Sequence, residues 1–400
     1  MYISLAHLYF NEDYPEALTE FKRLCNADTS FYNLSAISDD IVANDYPVSR
    51  DLYNKYTGNL RRAVDAVFSG DDADTDLALR LKAGVTRFGA FKAFNATQDI
   101  RAKGRTGAAT AADDAENVEK RYNSFQAAEY ATAASRARTA KQFAEYMTAD
   151  RMRLFPNLRW LPSRSVEVRP EHRIFWNRVW PKTSEFWQHN QPGNLWNCKC
   201  DMEETDDPTD IPEKLNPKYS SASPGLKGNP AVTGKIFSDD CSYIQRVKNP
   251  DTVRDIEVKV NKFEGHALKK DVPYKDLIKS QRCPLVIEGK QTEVCIKVKL
   301  EVKECIDGLM FGRIEDYYLK NELLKRWPDL FRNATYDGKV ECDTTHNSGD
   351  TKKYKEDIDY FYYYKTPLPN GTIIYNSVAH NVKDDSYRLY AISEKRSQYP

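Results

Sequence analysis

The chain lacks a surplus of charge of either sign: 59 Lys and Arg balance 59 Asp and Glu across 400 residues. That balance argues against a polybasic nucleic-acid binder, whose affinity rests on excess positive charge. No run approaches the ~18 consecutive apolar residues of a membrane span, so no membrane partner is expected. The start, Met1-Tyr-Ile-Ser-Leu-Ala-His7, has neither a basic segment nor a long apolar stretch, and no secretory leader is expected. Cysteine is sparse at eight residues, too few for a disulfide scaffold, which favours a reducing compartment. Familiar catalytic signatures are missing too, with no Gly-x-Ser-x-Gly, no P-loop and no His-Glu-x-x-His.

What is present divides into three stretches, and 400 residues exceed the typical domain of roughly 100–200. Residues 1–154 read as helical. Leu52, Tyr56, Leu60, Ala63 and Val67 form one apolar helical stripe. Asp71, Asp72 and Asp74 suit the start of a helix through Leu77, Leu81 and Val85, and the pairs Asp39-Asp40 and Asp113-Asp114 read likewise as helix-start acids. From about Ala109 to Met152 the chain is rich in Ala, Glu, Arg and Gln, which predicts one long helix. Such a helix packs on another helix or on a partner. Gly104 and Gly107 mark a hinge before it.

Residues 155–245 change character. Five of the six tryptophans lie between Trp160 and Trp196, interleaved with Arg159, Arg164, Arg169, Arg173, Arg178 and Lys182. Prolines at 156, 162, 170, 181 and 192 forbid long helices, so a compact, loop-rich module is expected, followed by a linker over 201–235. Arg interleaved with Trp suits two roles. It grips phosphates and stacks on bases, or it builds protein interfaces; the zero net charge favours the second. Within residues 246–400 the pattern switches, and Val294, Ile296, Val298, Leu300 and Val302 alternate with polar residues. Strands are expected at Ile256-Glu-Val-Lys-Val260, Val294–Val302, Tyr360–Tyr364, Gly371–Tyr375 and Tyr387–Ile392, with one helix over about Arg313–Leu330 closed by Trp327-Pro328. The fold class expected is thus an α+β multidomain protein: a mainly helical N-terminal region, a loop-rich Trp/Cys module and a separate C-terminal α+β domain.

The sharpest chemical feature is His172 followed by Cys198-Lys-Cys200. An extended Cys-x-Cys points both sulfurs one way, which suits a soft metal ion, with His172 as a nitrogen ligand and His189 or Cys241 to complete four. The spacing is not that of a standard zinc finger. From spacing alone, small residues packed beneath the tryptophans are the favoured reading, ahead of a metal site, with a redox pair third.

The run Phe155-Pro-Asn-Leu-Arg-Trp160, Val168-Arg-Pro-Glu-His172, Phe186-Trp187 and Pro192-Gly-Asn-Leu-Trp-Asn-Cys198-Lys-Cys200 resembles the Mu F-like phage head morphogenesis family. That family's pattern has an Arg-Pro-x-His step, a Phe-Trp step and a closing Trp-x-Cys-x-Cys. Val85-Thr-Arg-Phe-Gly-Ala-Phe, Arg121-Tyr-Asn-Ser and Glu129-Tyr-Ala-Thr-Ala resemble its upstream helices, and the resemblance covers about residues 1–245. Where relatives carry His-Pro-Tyr, this chain has Cys241-Ser-Tyr243, an exchange that keeps a metal ligand. The resemblance implies one structural zinc on His172, Cys198, Cys200 and Cys241. It also implies a non-enzymatic minor head protein that works with portal protein, scaffold and major capsid protein during prohead assembly in the host cytoplasm, in a virion that packages double-stranded DNA. Relatives sometimes add a C-terminal toxin or nuclease module. The alternative expectation is therefore a metal-independent RNase in residues 246–400, with His266, His346 and His380 as candidate catalytic groups beside Lys269, Lys270, Thr344, Thr345 and Tyr387. Nothing in their spacing shows that they converge.

Overall fold

The computed structural model describes residues 40–41, 47–104, 111–164, 170–213, 215, 222–271, 282–296, 305–306, 311–343 and 355–396. The protein is an α+β multidomain chain with a helical N-terminal region and a C-terminal sheet domain. Its contacts divide it between Ile256 and Glu257. The boundary expected between 245 and 246 thus lies further along, and the helical region and the Trp/Cys module belong to one unit.

Helix α1 (Arg50–Asp65) is capped by Ser49, whose side chain accepts from the Leu52 amide, and it buries Leu52, Tyr56, Leu60 and Ala63 as their spacing predicts. Asp71 and Asp72 lie in a short 3-10 turn, Gly70–Asp72, rather than at the next helix start. Thr75 takes that place, its hydroxyl accepting from the Ala78 amide at 3.4 Å. Helix α2 (Asp76–Gly104) is buried along most of its length. Gly89 lets α1 approach, since a Cβ there would stand 2.6 Å from the Thr57 methyl.

The long helix expected over 109–152 is broken into α3 (Ala111–Ser124) and α4 (Gln126–Tyr146), with a short turn at Ala149–Leu154. Asn123 and Ser124 are weak helix formers, and the Ser124 hydroxyl donates back to the Arg121 carbonyl at 2.7 Å, a bond that competes with helix continuation. The small side chains of α4 (Ala131, Ala133, Ala134, Ser135, Ala137, Ala140) are buried, so this helix packs inside the unit. Lys92 and Glu129 pair at 2.5 Å within this helical core, and Tyr243 donates to the same carboxylate at 3.1 Å.

The Trp/Cys module is built on a small antiparallel sheet, β2-β1-β3, from β1 (Asn157–Leu161), β2 (Val179–Pro181) and β3 (Asp201–Thr205). Part of the expected linker is therefore β3, and residues beyond it are packed: Leu226, Ile236, Phe237 and Cys241 join the core formed by α1, α2 and α4.

Residues 256–260 are helical, within α5 (Pro250–Asp271), not a strand. Their alternation coincides with a helical stripe, because Ile256, Val260 and Phe263 are the buried positions. Asn249 starts the helix, its side chain accepting from the Asp251 amide at 2.8 Å. The second unit carries a six-stranded sheet in the order β4-β5-β9-β8-β7-β6. Its strands are β4 (Cys283–Ile287), β5 (Lys290–Cys295), β6 (Thr335–Glu341), β7 (Ile358–Pro367), β8 (Ile373–Asn381) and β9 (Ser386–Ser393). All neighbours are antiparallel except β5 and β9. Helix α6 (Ile314–Lys325) and the turn Asp329–Arg332 follow β5, and the expected break falls at Arg326, before Trp327-Pro328. The Leu330 carbonyl accepts from Thr366 and Asn376, which fixes that turn to one face of the sheet. Phe361, Tyr363, Ala379 and Tyr390 make a second cluster. Val298, Leu300 and Val302 of the expected strand lie outside the described residues. No helix among the described residues is long and apolar enough to cross a membrane.

Candidate metal centre

Two neighbouring segments deliver the ligands. The turn Pro170–Phe175 points His172 and Phe175 inward, leaving His172 only 2% exposed. On the other side, the turn ending at Cys198 closes through the Cys198 amide to the Leu195 carbonyl at 3.0 Å. Asn197 adopts the left-handed conformation there, at φ 58°, a conformation Asn tolerates better than most residues. This kink separates the side chains of the segment. Trp196 stacks on Phe237 at 5.7 Å in the helical core, whereas Cys198 and Cys200 join Trp160, Phe175, Trp180, Phe186 and Trp187 in the module core.

The three ligand atoms lie within 4.8 Å of one another. His172 Nδ1 is 3.3 Å from Cys198 Sγ and 3.7 Å from Cys200 Sγ. A tetrahedral ion with metal–sulfur bonds of about 2.3 Å and a metal–nitrogen bond of about 2.0–2.1 Å requires a nitrogen–sulfur separation of about 3.6 Å. The observed pair of distances brackets that value. The cluster could hold a metal ion.

The thiols are poised for it. Cys198 accepts hydrogen bonds from the Cys200 thiol and amide and faces His172, which together hold it well below the ordinary thiol range despite burial. Cys200, which donates that bond and is itself buried, is pushed up. The pair thus loses one proton easily and the second with difficulty until a cation arrives.

Cys241 is not brought to this group. It sits in the helical core, its Cβ packed where a Cβ on Gly225 would come within 2.9 Å, and burial raises its thiol to about 11. The physical reason is the split at Asn197: the residues around 225–241 follow Trp196 into the other core. The rival ligand His189 is 40% exposed and stands 3.7 Å from Glu185.

Arg136, on α4, is a residue whose importance sequence reasoning missed. Its side chain is completely buried, with burial lowering its pKa to about 9, and no carboxylate among the described residues pairs with it. It donates to Ile236 O at 2.8 Å, Gly228 O at 3.0 Å, Gly193 O at 3.3 Å and Asn194 Oδ1 at 2.5 Å. Cys198 lies near enough that a thiolate there would offset part of the cost of that burial. Gly193 must be glycine, because its φ is 98° and a Cβ would stand 2.9 Å from Arg136 Cγ.

Three of the five tryptophans in the Arg/Trp block are turned inward. Trp160, Trp180 and Trp187 are among the largest fully buried side chains. Three of the block's six basic groups face carboxylates: Arg159 pairs with Glu203 and Asp207, Arg178 with Asp210, and Lys182 with Glu204. Those acids lie in the stretch expected to be a linker, and they offset three of the block's cations.

In the second unit, His380 on β8 lies between two acids. Its Nδ1 is 2.7 Å from Asp359 and its Nε2 is 3.0 Å from Asp385, with the Tyr387 ring 4.7 Å away. Burial would lower its pKa, but hydrogen bonds with Asp385 and Asp359 raise it above the ordinary value. With both ring nitrogens engaged, the imidazole is a cross-brace between β7, β8 and the turn before β9. His266 is on the exposed side of α5. His346, Thr344, Thr345, Cys25 and Arg169 lie outside the described residues. No protein-family model, curated protein or solved structure matches the chain.

Proposed function

We propose that the chain is a phage minor head protein of the Mu F-like kind, acting without catalysis in prohead assembly, and that His172, Cys198 and Cys200 hold one structural zinc. The observation that carries the zinc is the ligand spacing, 3.3 and 3.7 Å from one imidazole nitrogen to two sulfurs. It falls inside the segment whose motifs resemble that family. Zinc suits the donor set, since thiolate and imidazole ligands with no oxygen ligand favour a soft ion. The ion would join the turn at 170–175 to the end of the 190–200 loop and so fix the module's aromatic core.

Contacts with portal protein, scaffold and major capsid protein fall in this proposal to exposed surfaces, not to the buried face of α4 or the buried tryptophans. Double-stranded DNA is the weaker partner, because Arg159, Arg178 and Lys182 of the Trp block are paired with acids of the chain itself. Native mass spectrometry of the full chain tests the metal: one zinc that leaves on denaturation is expected, and a metal-free mass after zinc-supplemented refolding would refute it. Assembly is tested separately, by co-expressing the chain with portal, scaffold and capsid proteins of one phage. Its copurification with proheads is expected; its exclusion from proheads would refute the assembly role.

A further inference from the structure

The chain has one Asn-Gly step, Asn370-Gly371, and it stands in the loop between β7 and β8. Leu368-Pro369 opens a turn there, closed by the Gly371 amide on the Leu368 carbonyl at 2.8 Å. Gly371 is exposed, with φ at 85° and nothing within 4 Å of where a Cβ would stand, so neither a side chain nor a neighbouring segment crowds this side of the turn. The Asn370 carboxamide is held at both ends. Its Oδ1 accepts from the Thr372 amide at 3.1 Å, which draws the group forward along the chain toward the Gly371 nitrogen. Its Nδ2 donates to Asp316 Oδ1 at 2.7 Å. Asp316 lies in the first turn of α6, is only 1% exposed and also pairs with Arg313 at 3.3 Å. Through Asn370 the β7–β8 loop is tied to the start of α6.

An asparagine so placed before glycine can cyclise. The Gly371 nitrogen forms a bond to the Asn370 side-chain carbonyl carbon, the carbon–nitrogen bond of the amide breaks, and ammonia leaves with the proton that the backbone nitrogen gives up. Water then opens the cyclic imide at either carbonyl, leaving aspartate or isoaspartate. In the closed turn the Gly371 amide is engaged by Leu368, so the reaction proceeds when that bond opens. Either product exchanges the donor facing Asp316 for a carboxylate. A buried carboxylate that loses a hydrogen-bond donor and gains a like charge is destabilised twice over. We propose that Asn370 is a self-modification site with water as its co-reactant, and that its deamidation irreversibly releases the β7–β8 loop from α6.

The test follows full-length protein as it ages in mildly alkaline buffer made with heavy-oxygen water. Samples are digested and the peptide spanning Asn370 is read by mass spectrometry, with aspartate and isoaspartate separated by chromatography. Wild type should convert at Asn370 ahead of its other asparagines, carry the label and give both products. Asn370→Gln, which keeps an amide but closes the larger ring far less readily, should stay unlabelled. Circular-dichroism melts of the aged wild type and of Asn370→Asp should both shift to lower midpoints than fresh wild type. The aged chain decides the matter if the aspartate variant does not fold. An Asn370 that keeps its amide after other asparagines have reacted overturns the site. Label in aspartate alone, without isoaspartate, overturns the imide route. A chain fully converted at Asn370 that melts with fresh wild type overturns the release.

Discussion

Arg136→Met is the most informative single change to the body of the protein. Methionine fills much of the arginine's volume and keeps the helix, so the perturbation isolates the guanidinium. Four acceptors lose their donor: Ile236 O, Gly193 O, Gly228 O and Asn194 Oδ1. At about 1.5–3 kcal/mol for each hydrogen bond to a charged group, the gross loss is roughly 6–12 kcal/mol. Against this stands the relief of desolvation. A fall in pKa from 12.5 to about 9 for a side chain with no exposure corresponds to about 5 kcal/mol of strain in the charged form. The difference leaves a net destabilisation of roughly 1–7 kcal/mol, centred near 4. In a unit of this size that is a drop of about 10 °C in midpoint, read by scanning calorimetry or by tryptophan fluorescence during denaturant unfolding. Arg136→Lys should recover little, since one ammonium cannot reach four acceptors spread over three segments. A methionine variant within about 0.5 kcal/mol of wild type, the range of an ordinary surface change, would refute the reasoning. The buried guanidinium would then cost as much as it returns.

Cys200→Ser and His172→Ala should abolish the bound zinc, whereas Cys241→Ser should retain one ion per chain by native mass spectrometry; a metal-free Cys241→Ser would restore the four-ligand site implied by the family resemblance. Trp187→Ala empties a fully buried aromatic site and should cost about 3–5 kcal/mol, opening the 155–205 region to limited proteolysis; a wild-type digestion pattern would contradict it. His380 has a raised pKa, so its support for the second unit is fully present below the unfolded value near ~6.5 and is lost as pH rises through the higher folded value. Denaturant midpoints across that window should fall in wild type and stay flat in His380→Asn, and equal slopes would show that the brace carries nothing. Full-length protein incubated with RNA should show no cleavage that depends on His380, since both ring nitrogens are held by carboxylates.

Where one periodicity dominated, the elements were legible in the sequence. The stripe from Leu52 to Ala63 is a buried helix face, and the alternating segments around Tyr360, Ile374 and Leu389 are neighbouring strands. Ile256–Val260 misled because positions four apart satisfy both periods, and only the stripe's continuation to Phe263 with the Asn249 cap separates them. The Arg/Trp block misled for another reason. Composition reveals how many charges a stretch holds but not whether acids from a later segment will lie against them, as Glu203, Asp207 and Asp210 do. Of the metal centre, His172, Cys198 and Cys200 were legible by ligand type, while Cys241 was drawn in by an exchange of one ligand type for another. Arg136 gave one faint signal: it stands among Ala133, Ser135, Ala137 and Ala140, small residues that allow close approach from every side.

The bonds of Arg136 also bear on the order in which the chain can fold during synthesis. Its partners lie 57 to 100 residues further along, the last being Ile236. A growing chain that has just released α4 from the ribosome already has α1 and α2 to cover part of its alanine face, but the interior arginine has none of its acceptors. The full set of bonds to Arg136 therefore has to wait for the 225–241 stretch, although that stretch contributes little regular structure of its own. A fragment ending at residue 154 would contain every long helix of the unit before α5 and still lack the acceptors that hold α4 in place.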